Sequence, residues 1–372
     1  MAQGFAQWGN DLYTGRKSYQ IVGNRRRFYI VAIVMVLLSF GVLLTKGFNL
    51  GIDFRGGSEF VVSNVSDTSQ QPAIDAVAEV APDEVPRVTT VGGSAIRVQT
   101  DRLTADEVTE VRDALAGAYD VTENDVTTAF IGPSWGKDVS QKAITGLIVF
   151  LGLVGVVMTI YFRNWRMAAA ALIALFHDLI ITVGIYAAIG WEVTPATVIG
   201  FLTILGYSIY DTVVVFDKVR ENTSGILDQT RSTYAERANL AVNQTLVRSI
   251  NTSVVALLPV SAILFIGAFL LGAGTLRDIA LALFVGMAVG AYSSIFLATP
   301  LEVTLRERET AIKEHTQKVL DKRAALVAEA AEGTGGASRD AQLAAAGVQA
   351  TGQLQPGSHQ GVKAQPRRKR GH

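Results

Sequence analysis

Apolar residues in this chain are gathered into long blocks that alternate with polar segments. Six of the blocks, each of about 17 to 25 mostly apolar residues, are long enough to cross the hydrocarbon core of a bilayer as a helix. They lie at 28–45, 143–162, 167–190, 194–216, 250–271 and 279–299. The pattern predicts a multi-pass membrane protein with six spanning helices.

The polar segment between the first two blocks, at 47–140, has a different pattern. Short runs of alternating apolar and polar residues indicate strands, and two longer runs with helical spacing indicate helices. The predicted strands are 58–63, 85–91, 95–100 and 124–131, and the predicted helices are 72–80 and 104–119. The order β-α-β-β-α-β is that of a ferredoxin-like domain. The predicted fold class is therefore a membrane α-helical bundle of six transmembrane helices with an extracytoplasmic α+β ferredoxin-like domain.

Local signals and charge refine the picture of this domain. Thr104 followed by Glu107 predicts a capping box, and Gly92-Gly93 between two strands predicts a hairpin turn. Residues 46–142 carry eight Lys or Arg against sixteen Asp or Glu, a net charge of −8. An acidic domain is a poor candidate for binding nucleic acid or an anionic lipid surface, and a solvated surface explains the acidity as well as a partner does.

Basic residues are concentrated at one end of the predicted helices. The turn at 191–193, on the opposite side, has no Lys or Arg, and the turn at 272–278 has only Arg277. The positive-inside rule therefore predicts that both termini lie in the cytoplasm. The expected location of the chain is the cell membrane, which it crosses several times. No small-x-small cleavage site follows the first block, so we expect a retained anchor rather than a signal peptide. The basic residues are Arg25 to Arg27, Arg163, Arg166, Lys218, Arg220, Arg231, Arg237 and Arg248.

The expected division of the chain follows from these segments. After the sixth block the sequence is first charged with helical spacing, and from residue 333 it is too poor in apolar residues to offset the entropy of ordering. The expected parts are a cytoplasmic N-terminus (1–27), transmembrane helix 1 (28–45), the extracytoplasmic domain (46–142), transmembrane helices 2 to 6 (143–299), a cytoplasmic charged helix (300–332) and a disordered basic tail (333–372).

Composition narrows the chemistry that this chain can perform. Of its 372 residues, 49% are apolar and 18% are charged, the formal net charge is zero, and none is Cys, so there is no disulfide or thiol chemistry. No Cys/His cluster predicts a metal site, and no cofactor is expected. His177 and Asp178 resemble the HD pair of metal phosphohydrolases, but the other ligands of such a site are missing. No G-x-x-x-x-G-K-[ST] loop is present, so ATP is not the direct energy source.

A carboxylate, Asp211, interrupts the fourth apolar block. A charge near the middle of a spanning helix costs roughly 3 kcal/mol on insertion scales, so such a residue normally faces protein or water and has a function. Tyr207, Ser208 and Val215 share its helix face by spacing. Two interpretations remain open, namely a proton-binding group and a hydrogen-bonded structural carboxylate.

A buried carboxylate needs a partner, and the start of the fifth block supplies Arg248, with Asn251 and Asn243 on neighbouring faces. Both Asp211 and Arg248 fall toward the cytoplasmic side of the predicted topology. An Asp that alternates between pairing with Arg and accepting a proton is the usual construction of a proton relay. The pair predicts such a relay.

Further polar and small residues have two readings each. His177 and Asp178, in the third block, are either relay or supporting residues or members of an interhelical hydrogen bond. Asp217 either supports the relay or forms a solvated salt bridge with Lys218 or Arg220. The last block has a small-xxx-small face that contacts either a partner helix or another helix of the same chain. Its small residues are Gly286, Gly290 and Ser294.

Five ordered sequence blocks carry a resemblance to a known family. They are GIDFRGG (51–57), LFHDLIITVG (175–184), GYSIYDTVVVFDKVREN (206–222), RSINTSVVALLPV (248–260) and AYSSIFLATPL (291–301). They occur in the order of the SecD/SecF family of protein-export membrane subunits, relatives of the resistance-nodulation-division transporters, and the whole match covers about 300 residues. The chain resembles this family, and the tail after about residue 310 lies outside the resemblance.

The resemblance implies a function, partners and roles for individual residues. It implies a subunit that catalyses no covalent reaction and uses the proton gradient to promote preprotein translocation. Its implied partners are SecD, the SecYEG channel with SecA, and a YajC-like subunit. It implies that Asp211 and Arg248 belong to the proton pathway. The extracytoplasmic domain would then move about a hinge in the first block, where glycines permit unusual backbone angles. The hinge residues are Gly51, Asp53, Gly56 and Gly57.

One departure from the family and two rival functions remain. Tyr210 stands where family members often have a small polar residue. The resemblance therefore does not decide how water reaches Asp211 in this chain. A proton-coupled exporter of small molecules would share the carboxylate but predicts twelve spans and two large outer domains, twice what this chain has. A non-transporting membrane scaffold would leave Asp211 replaceable.

Overall fold

The computed structural model of the chain describes residues 2–91, 94–270 and 274–332. The α-helices, in chain order, are α1 (Ala2–Tyr13), α2 (Arg25–Lys46), α3 (Ile52–Arg55), α4 (Gln71–Val80), α5 (Ala105–Ala118), α6 (Pro133–Phe162), α7 (Trp165–Ile189), α8 (Pro195–Thr223), α9 (Tyr234–Ala262), α10 (Gly274–Ser293), α11 (Thr299–Arg306) and α12 (Thr310–Glu332). The strands are β1 (Gly57–Val62), β2 (Arg87–Val91), β3 (Ala95–Thr100) and β4 (Val126–Ile131). Two π-helical stretches, Ile263–Leu270 and Ser294–Ala298, continue α9 and α10.

The prediction of six spanning helices is confirmed, because the described residues contain six helices long and apolar enough to cross a membrane. Each predicted block lies largely within one of them. Some spanning helices are longer than the apolar blocks, because their N-terminal capping residues lie in the polar sequence before the block. For α9 the capping box of Thr233 and Glu236 starts the helix at Tyr234, far ahead of the apolar block at 250–271.

The small residues of α10 pack inside the chain and do not form a surface for a partner helix. A Cβ added at Gly286 would lie 2.2 Å from a methyl group of Ile204, and one added at Gly290 would lie 3.0 Å from Ser208. Ile204 and Ser208 both belong to α8. The small-xxx-small face therefore serves close packing of α10 on α8, and its interpretation as a partner surface is wrong.

The sheet domain, which we define as residues 57–131, has the predicted ferredoxin-like topology. Its four strands are all paired antiparallel in the order β2-β3-β1-β4, with Ser58 of β1 opposite Thr100 of β3 and opposite Phe130 of β4. The capping box at Thr104 is present, and Glu107 donates its backbone N–H to the Thr104 hydroxyl. The predicted hairpin glycines, Gly92 and Gly93, lie outside the described residues.

Helices α4 and α5 cover one face of this sheet and enclose an apolar core. The core side chains come from alternate positions of the strands and from helical spacing on α4 and α5, as expected for one buried face. Among them, Phe60, Val62, Ile96, Val98, Val111 and Leu115 have no exposed surface.

An N-terminal strap, residues 13–22, lies along α9 and was not predicted from the sequence. The Asn243 carboxamide oxygen accepts the backbone N–H of Tyr19 at 2.7 Å, and the Asn239 oxygen accepts that of Val22 at 3.0 Å. Both carboxamide nitrogens donate to the Tyr19 carbonyl. The polar start of α9 thus satisfies backbone groups of the strap, and the Asn243 side chain is hydrogen-bonded there rather than to Asp211.

The charged segment after the sixth span forms α11 and α12. Arg323 of α12 makes a bidentate contact with Glu236, with N–O distances of 2.7 Å. His315 contacts the Gln229 carbonyl at 2.6 Å. These contacts fix α12 against the α8–α9 connection, so α1 and α12 lie at the same end of the bundle, which we call the terminal end. The opposite end, next to the sheet domain, is the domain end. The predicted disordered tail, 333–372, lies outside the described residues.

Candidate functional site

Asp211 lies just past the middle of α8, and its side chain is buried, with 5% of the residue surface exposed. One carboxylate oxygen, Oδ1, accepts a hydrogen bond from Ser249 of α9 at 2.8 Å. The other oxygen, Oδ2, is buried without a hydrogen-bond partner among the described residues. An ionised carboxylate with an unsatisfied buried oxygen is costly, so this environment favours a change of protonation or of partner.

Arg248 does not contact Asp211 in this conformation. Its side chain is exposed and lines an open polar cavity of about 740 Å³ at the terminal end of α8 and α9. Asp217 and Thr245 line the same cavity. Ser249, the residue after Arg248, instead provides the hydrogen bond to Asp211. Arg248 is thus close to Asp211 along the helices, but its side chain points into the cavity. The predicted ion pair of Asp211 and Arg248 stays a prediction.

A second buried carboxylate, Asp178 of α7, is fully hydrogen-bonded. Its Oδ2 accepts hydrogen bonds from Ser208 of α8 at 2.6 Å and from Ser293 of α10 at 2.7 Å. Its Oδ1 lies 3.1 Å from Nδ1 of His177, whose Nε2 is buried without a partner among the described residues. Asp178 therefore ties three spanning helices together.

Hydroxyl groups continue this cluster to the helix turn that bears Asp211. The Thr212 hydroxyl lies 3.0 Å from the Ser294 hydroxyl, and Ser294 also contacts the Ser208 carbonyl at 3.3 Å. Ser293 and Ser294 stand at the junction of α10 with a π-helical stretch, a feature that often marks functional sites. We call the whole set the polar layer. Its members are His177, Asp178, Ser208, Asp211, Thr212, Ser249, Ser293 and Ser294.

The remaining candidates lie outside the polar layer. Asp217 is exposed and accepts a hydrogen bond from the Tyr161 hydroxyl at 2.9 Å, while the neighbouring Lys218 pairs with Glu221. Asn251 is exposed on α9. Neither residue approaches Asp211 closely enough for a contact within the described part of the chain. Their supporting roles remain predictions.

The predicted hinge has two unusual glycines. Gly56 and Gly57 have φ values of 82° and 137°, whereas Gly51 has an ordinary φ of −66°. A Cβ at Gly57 would lie 2.4 Å from the Thr100 carbonyl oxygen, so only glycine fits there. Asp53 is half-buried on α3, and burial, followed by the charge of Glu59, raises the pKa of its carboxyl group. The segment joins the first span to the sheet domain.

Sequence reasoning missed several polar groups of the site. Ser249, Ser293 and Thr212 are common residue types in helices, and only the rotation of each helix decides whether they face a carboxylate. Glu302 of α11 is a different case. It has no exposed surface and accepts a hydrogen bond from Tyr234 at 2.5 Å, but it lies just after the sixth apolar block, so a rule based on charges inside apolar blocks does not single it out.

The described residues contain no group of three or more His, Cys, Asp or Glu side chains that could hold a metal ion. His177 and Asp178 hydrogen-bond to each other and to helix hydroxyls instead. Their arrangement matches the interpretation as an interhelical hydrogen-bond group.

Two family profiles match this chain. The one described as "Protein export membrane protein SecD/SecF, C-terminal" matches residues 111–308, which include the five spans from α6 to α11 and the whole polar layer. The one described as "SecD/SecF GG Motif" matches residues 41–63, which include the hinge glycines.

Similar proteins carry the same family name. The protein translocase subunit SecF of Streptomyces coelicolor is 47% identical over 317 residues, which are 85% of this chain and 84% of that protein. The SecF subunit of Mycobacterium tuberculosis is 43% identical over 323 residues, 84% of this chain and 72% of that protein. The protein translocase subunit SecDF of Thermus thermophilus is 32% identical over 300 residues, which are 79% of this chain but 39% of that protein.

The architecture agrees with these matches. The crystal structure of SecDF, a translocon-associated membrane protein from Thermus thermophilus, superimposes with a TM-score of 0.68 and 31% identity over 79% of this chain and 39% of that chain. A second structure, SecDF in its super-membrane-facing form, gives a TM-score of 0.58 with 31% identity over 81% of this chain. This chain therefore belongs to the SecF branch of the SecD/SecF family of protein-export membrane proteins.

Proposed function

We propose that this chain couples proton movement through its polar layer to preprotein translocation, as the SecF-type subunit of a protein translocase. The observation that carries the proposal is the half-satisfied, buried carboxylate of Asp211 within a polar layer whose members come from four helices, α7 to α10. No covalent bond is made or broken in this function. The chain changes conformation, and the membrane gradient supplies the energy.

Asp211 is the group that binds and releases the proton. In the ionised form its unpartnered Oδ2 favours a closer approach of a cation or of water, and in the protonated form the same oxygen can donate a hydrogen bond. Arg248, one residue from Ser249, is the nearest candidate cation on α9. Rotation of its long side chain from the cavity toward α8 would form the ion pair. The two states would then be an ion pair and a separated, protonated form.

The polar cavity beside Arg248 is the proposed path between the site and the cytoplasm. It opens at the terminal end, where the basic residues of the chain are concentrated, and the positive-inside rule places that end, with both termini, in the cytoplasm. The sheet domain then lies outside the membrane. One elementary charge moved through 100 mV releases about 2.3 kcal/mol, so a few protons per cycle supply enough energy to shift a domain.

His177 and Asp178 support the relay as its inner members. Asp178 holds α7, α8 and α10 in register through Ser208 and Ser293, and Ser208 is one turn before Asp211 on α8. The unpartnered Nε2 of His177 leaves this group a site for one further donor or acceptor. A rearrangement at Asp211 would therefore first change the hydrogen bonds of the hydroxyls in the polar layer.

A SecD-type subunit is the proposed direct partner, and it would cover α8 and α9. Polar side chains inside spans normally face protein or water, yet four of them are exposed on these two helices. They are Thr203 and Tyr210 on α8, and Arg248 and Asn251 on α9. The SecDF relative, in which this chain matches 39% of the length, supports such a partner. A contact on this face would bring the partner to the mouth of the relay.

Beyond SecD, we propose that the complex works beside the SecYEG channel with SecA and a YajC-like subunit, and that preproteins are its substrates. The description of SecDF from Thermus thermophilus as translocon-associated supports this assignment. In this scheme the sheet domain moves about Gly56 and Gly57 on the outer side, where it would contact emerging preprotein.

The test is preprotein export in cells whose only copy of the chain carries Asp211→Asn, at the protein level of the unsubstituted chain. Asn keeps the shape and the hydrogen bond to Ser249 but cannot titrate, so we expect gradient-dependent export to be lost while membrane insertion persists. Arg248→Lys keeps the charge without the planar fork and should be partly active. Asp228→Asn, which changes an exposed carboxylate on the terminal side, is the matched control and should export normally. Full export with Asp211→Asn would leave this carboxylate as a structural group.

A further inference from the structure

The junction between the sheet domain and the bundle has two kinds of contact. The first kind is a backbone anchor between residues 49–51 and the turn that joins α7 to α8. Gly51 donates its N–H to the Val193 carbonyl at 3.0 Å, and Val193 donates its N–H to the Asn49 carbonyl at 2.7 Å. Leu50 and Val193 form an isolated parallel bridge and belong to one apolar cluster. This anchor attaches the segment before α3 to the bundle.

The second kind of contact is made by side chains and involves Glu192 of the same turn. The Gln99 carboxamide nitrogen, on β3, donates to Glu192 Oε2 at 3.1 Å and to Glu59 Oε2 at 2.9 Å. Arg87, on β2, lies 3.9 Å from Glu192 Oε1 and also donates to the Asn49 side chain. Strands β2 and β3 therefore contact Glu192 through the polar side chains of Arg87 and Gln99.

The hinge lies between the two kinds of contact. Residues 49–51 belong to the anchor, whereas Gly56 follows α3 and Gly57 is the first residue of β1. A rotation at these glycines leaves the anchor intact and changes the distance from Glu192 to Gln99 and Arg87. The Glu192 contacts are one hydrogen bond and one long ion pair with the partly exposed Arg87, so they cost less to break than the backbone bridge with its apolar pair.

The turn that carries Glu192 also connects the two helices of the relay. Residues 190–194 link α7, which bears Asp178, directly to α8, which bears Asp211. Asp178 and Ser208 are hydrogen-bonded, so α7 and α8 are coupled at the polar layer as well. A shift of one helix relative to the other would tilt this short turn and displace the Glu192 carboxylate.

We propose that Glu192 is a positioning residue that couples the relay helices to the sheet domain, as a latch that holds β2 and β3 against the bundle in one state and releases them in the other. The inference rests on the proposed proton relay. Glu192 touches no proton pathway group and acts through Gln99 and Arg87. The charged groups around it are Asp53 on α3, Glu59 on β1, Arg87 on β2 and Arg97 on β3.

The experiment measures the distance between spin labels on the sheet domain and on α7. The chain has no Cys, so single cysteines can be introduced at Val85, which is 91% exposed before β2, and at Ile189, which is 47% exposed at the end of α7. The labelled full chain is reconstituted in vesicles with a cysteine-free SecD-type partner. Distances are recorded with and without an imposed proton gradient.

In the otherwise unsubstituted chain we expect a short and a long distance whose ratio changes when the gradient is imposed. Glu192→Ala should raise the ratio of long to short distance about threefold or more without a gradient, since it removes one charge-assisted hydrogen bond and one ion pair. Glu192→Gln keeps an acceptor for Gln99 and should be intermediate. Arg87→Ala, at an exposed position, removes only the ion pair from the contacts of Glu192 and should move the ratio in the same direction by less.

The matched control is Glu110→Gln, at an exposed carboxylate of α5 away from the junction, which should leave the distances unchanged. The latch is overturned if Glu192→Ala and Arg87→Ala both give the distances of Glu110→Gln. The relay has a separate readout, because Asp211→Asn should keep the short distance and remove its response to the gradient. A gradient response that persists with Asp211→Asn overturns the relay and not the latch.

Discussion

Asp178 and Asp211 are both buried carboxylates of the same bundle, yet their surroundings differ. Asp178 has partners for both oxygens, two serine hydroxyls and a histidine. Asp211 has one serine hydroxyl on one oxygen and no hydrogen-bond partner for the other among the described residues. A satisfied buried carboxylate fixes its neighbours, whereas a half-satisfied one gains from a change of protonation or partner. The comparison therefore assigns a mainly structural role to Asp178 and a change of protonation or partner to Asp211.

The largest expected effect on stability follows from removal of the satisfied carboxylate. Asp178→Ala removes the acceptor of the Ser208 hydroxyl and the partner of His177 Nδ1, leaves Ser293 only its contact with the Gly290 carbonyl at 3.2 Å, and opens a cavity between three helices. We expect about 3 kcal/mol of destabilisation, measured by thermal unfolding of the purified chain in detergent. A loss no greater than that of Asp211→Ala would break the comparison.

A smaller effect is expected when Asp178 loses one of its donors. Ser293→Ala removes the 2.7 Å hydrogen bond, but Ser208 still donates at 2.6 Å. The expected cost is about 1.5 kcal/mol, measured by the same unfolding assay. Ser261→Ala, which removes a hydroxyl that donates to the Leu257 carbonyl of its own helix, is a control of the same size. Equal costs for the two variants would show that the hydrogen bond to Asp178 has no special weight.

Asp211→Asn should change stability by less than about 1 kcal/mol, because the hydrogen bond from Ser249 persists and no charge is left unpaired. Its effect should appear in gradient-dependent export instead. Unfolding midpoints and export are measured on the same preparations of cells. A large loss of stability with this variant would indicate that Asp211 is a structural group like Asp178.

The smallest expected effect concerns Asp53, a half-buried carboxylate at the domain end. Burial and the charges of Glu59 and Glu192 raise its pKa in the docked arrangement, so that arrangement binds a proton more tightly than one in which the groups are separated. Docking of the sheet domain should therefore strengthen as the outer pH falls through the raised pKa, weaken as the pH rises toward and through it, and stay constant at higher pH, where Asp53 is ionised in both arrangements. The spin-label distances measure this, and Asp53→Asn should remove the dependence.

Much of the fold is predictable because it follows from local patterns. The apolar blocks have the length of spans, and the capping box at Thr104 together with the strand order predicts the sheet domain. The small face of α10 is visible in the sequence, but its partner is not. Whether Gly286 meets a helix of the same chain or of another depends on the arrangement of the whole bundle.

The candidate site is predictable only in part. Asp211 stands out because a charge in an apolar block is costly. Its partner does not stand out, because Ser249 and Arg248 are adjacent on α9 and only the rotation of that helix decides which one faces α8. The N-terminal strap escaped prediction for a similar reason, since Asn239 and Asn243 bind backbone groups far away along the chain.

The central claim is that Asp211 binds and releases a proton, and infrared difference spectroscopy tests it most directly. The full chain with its SecD-type partner is reconstituted in vesicles, and spectra are recorded as the pH is stepped across the accessible range. We expect a carbonyl band of a protonated carboxylic acid that appears on acidification, persists with Asp228→Asn and is lost with Asp211→Asn. An unchanged band in Asp211→Asn would contradict the account and show that another group carries the proton.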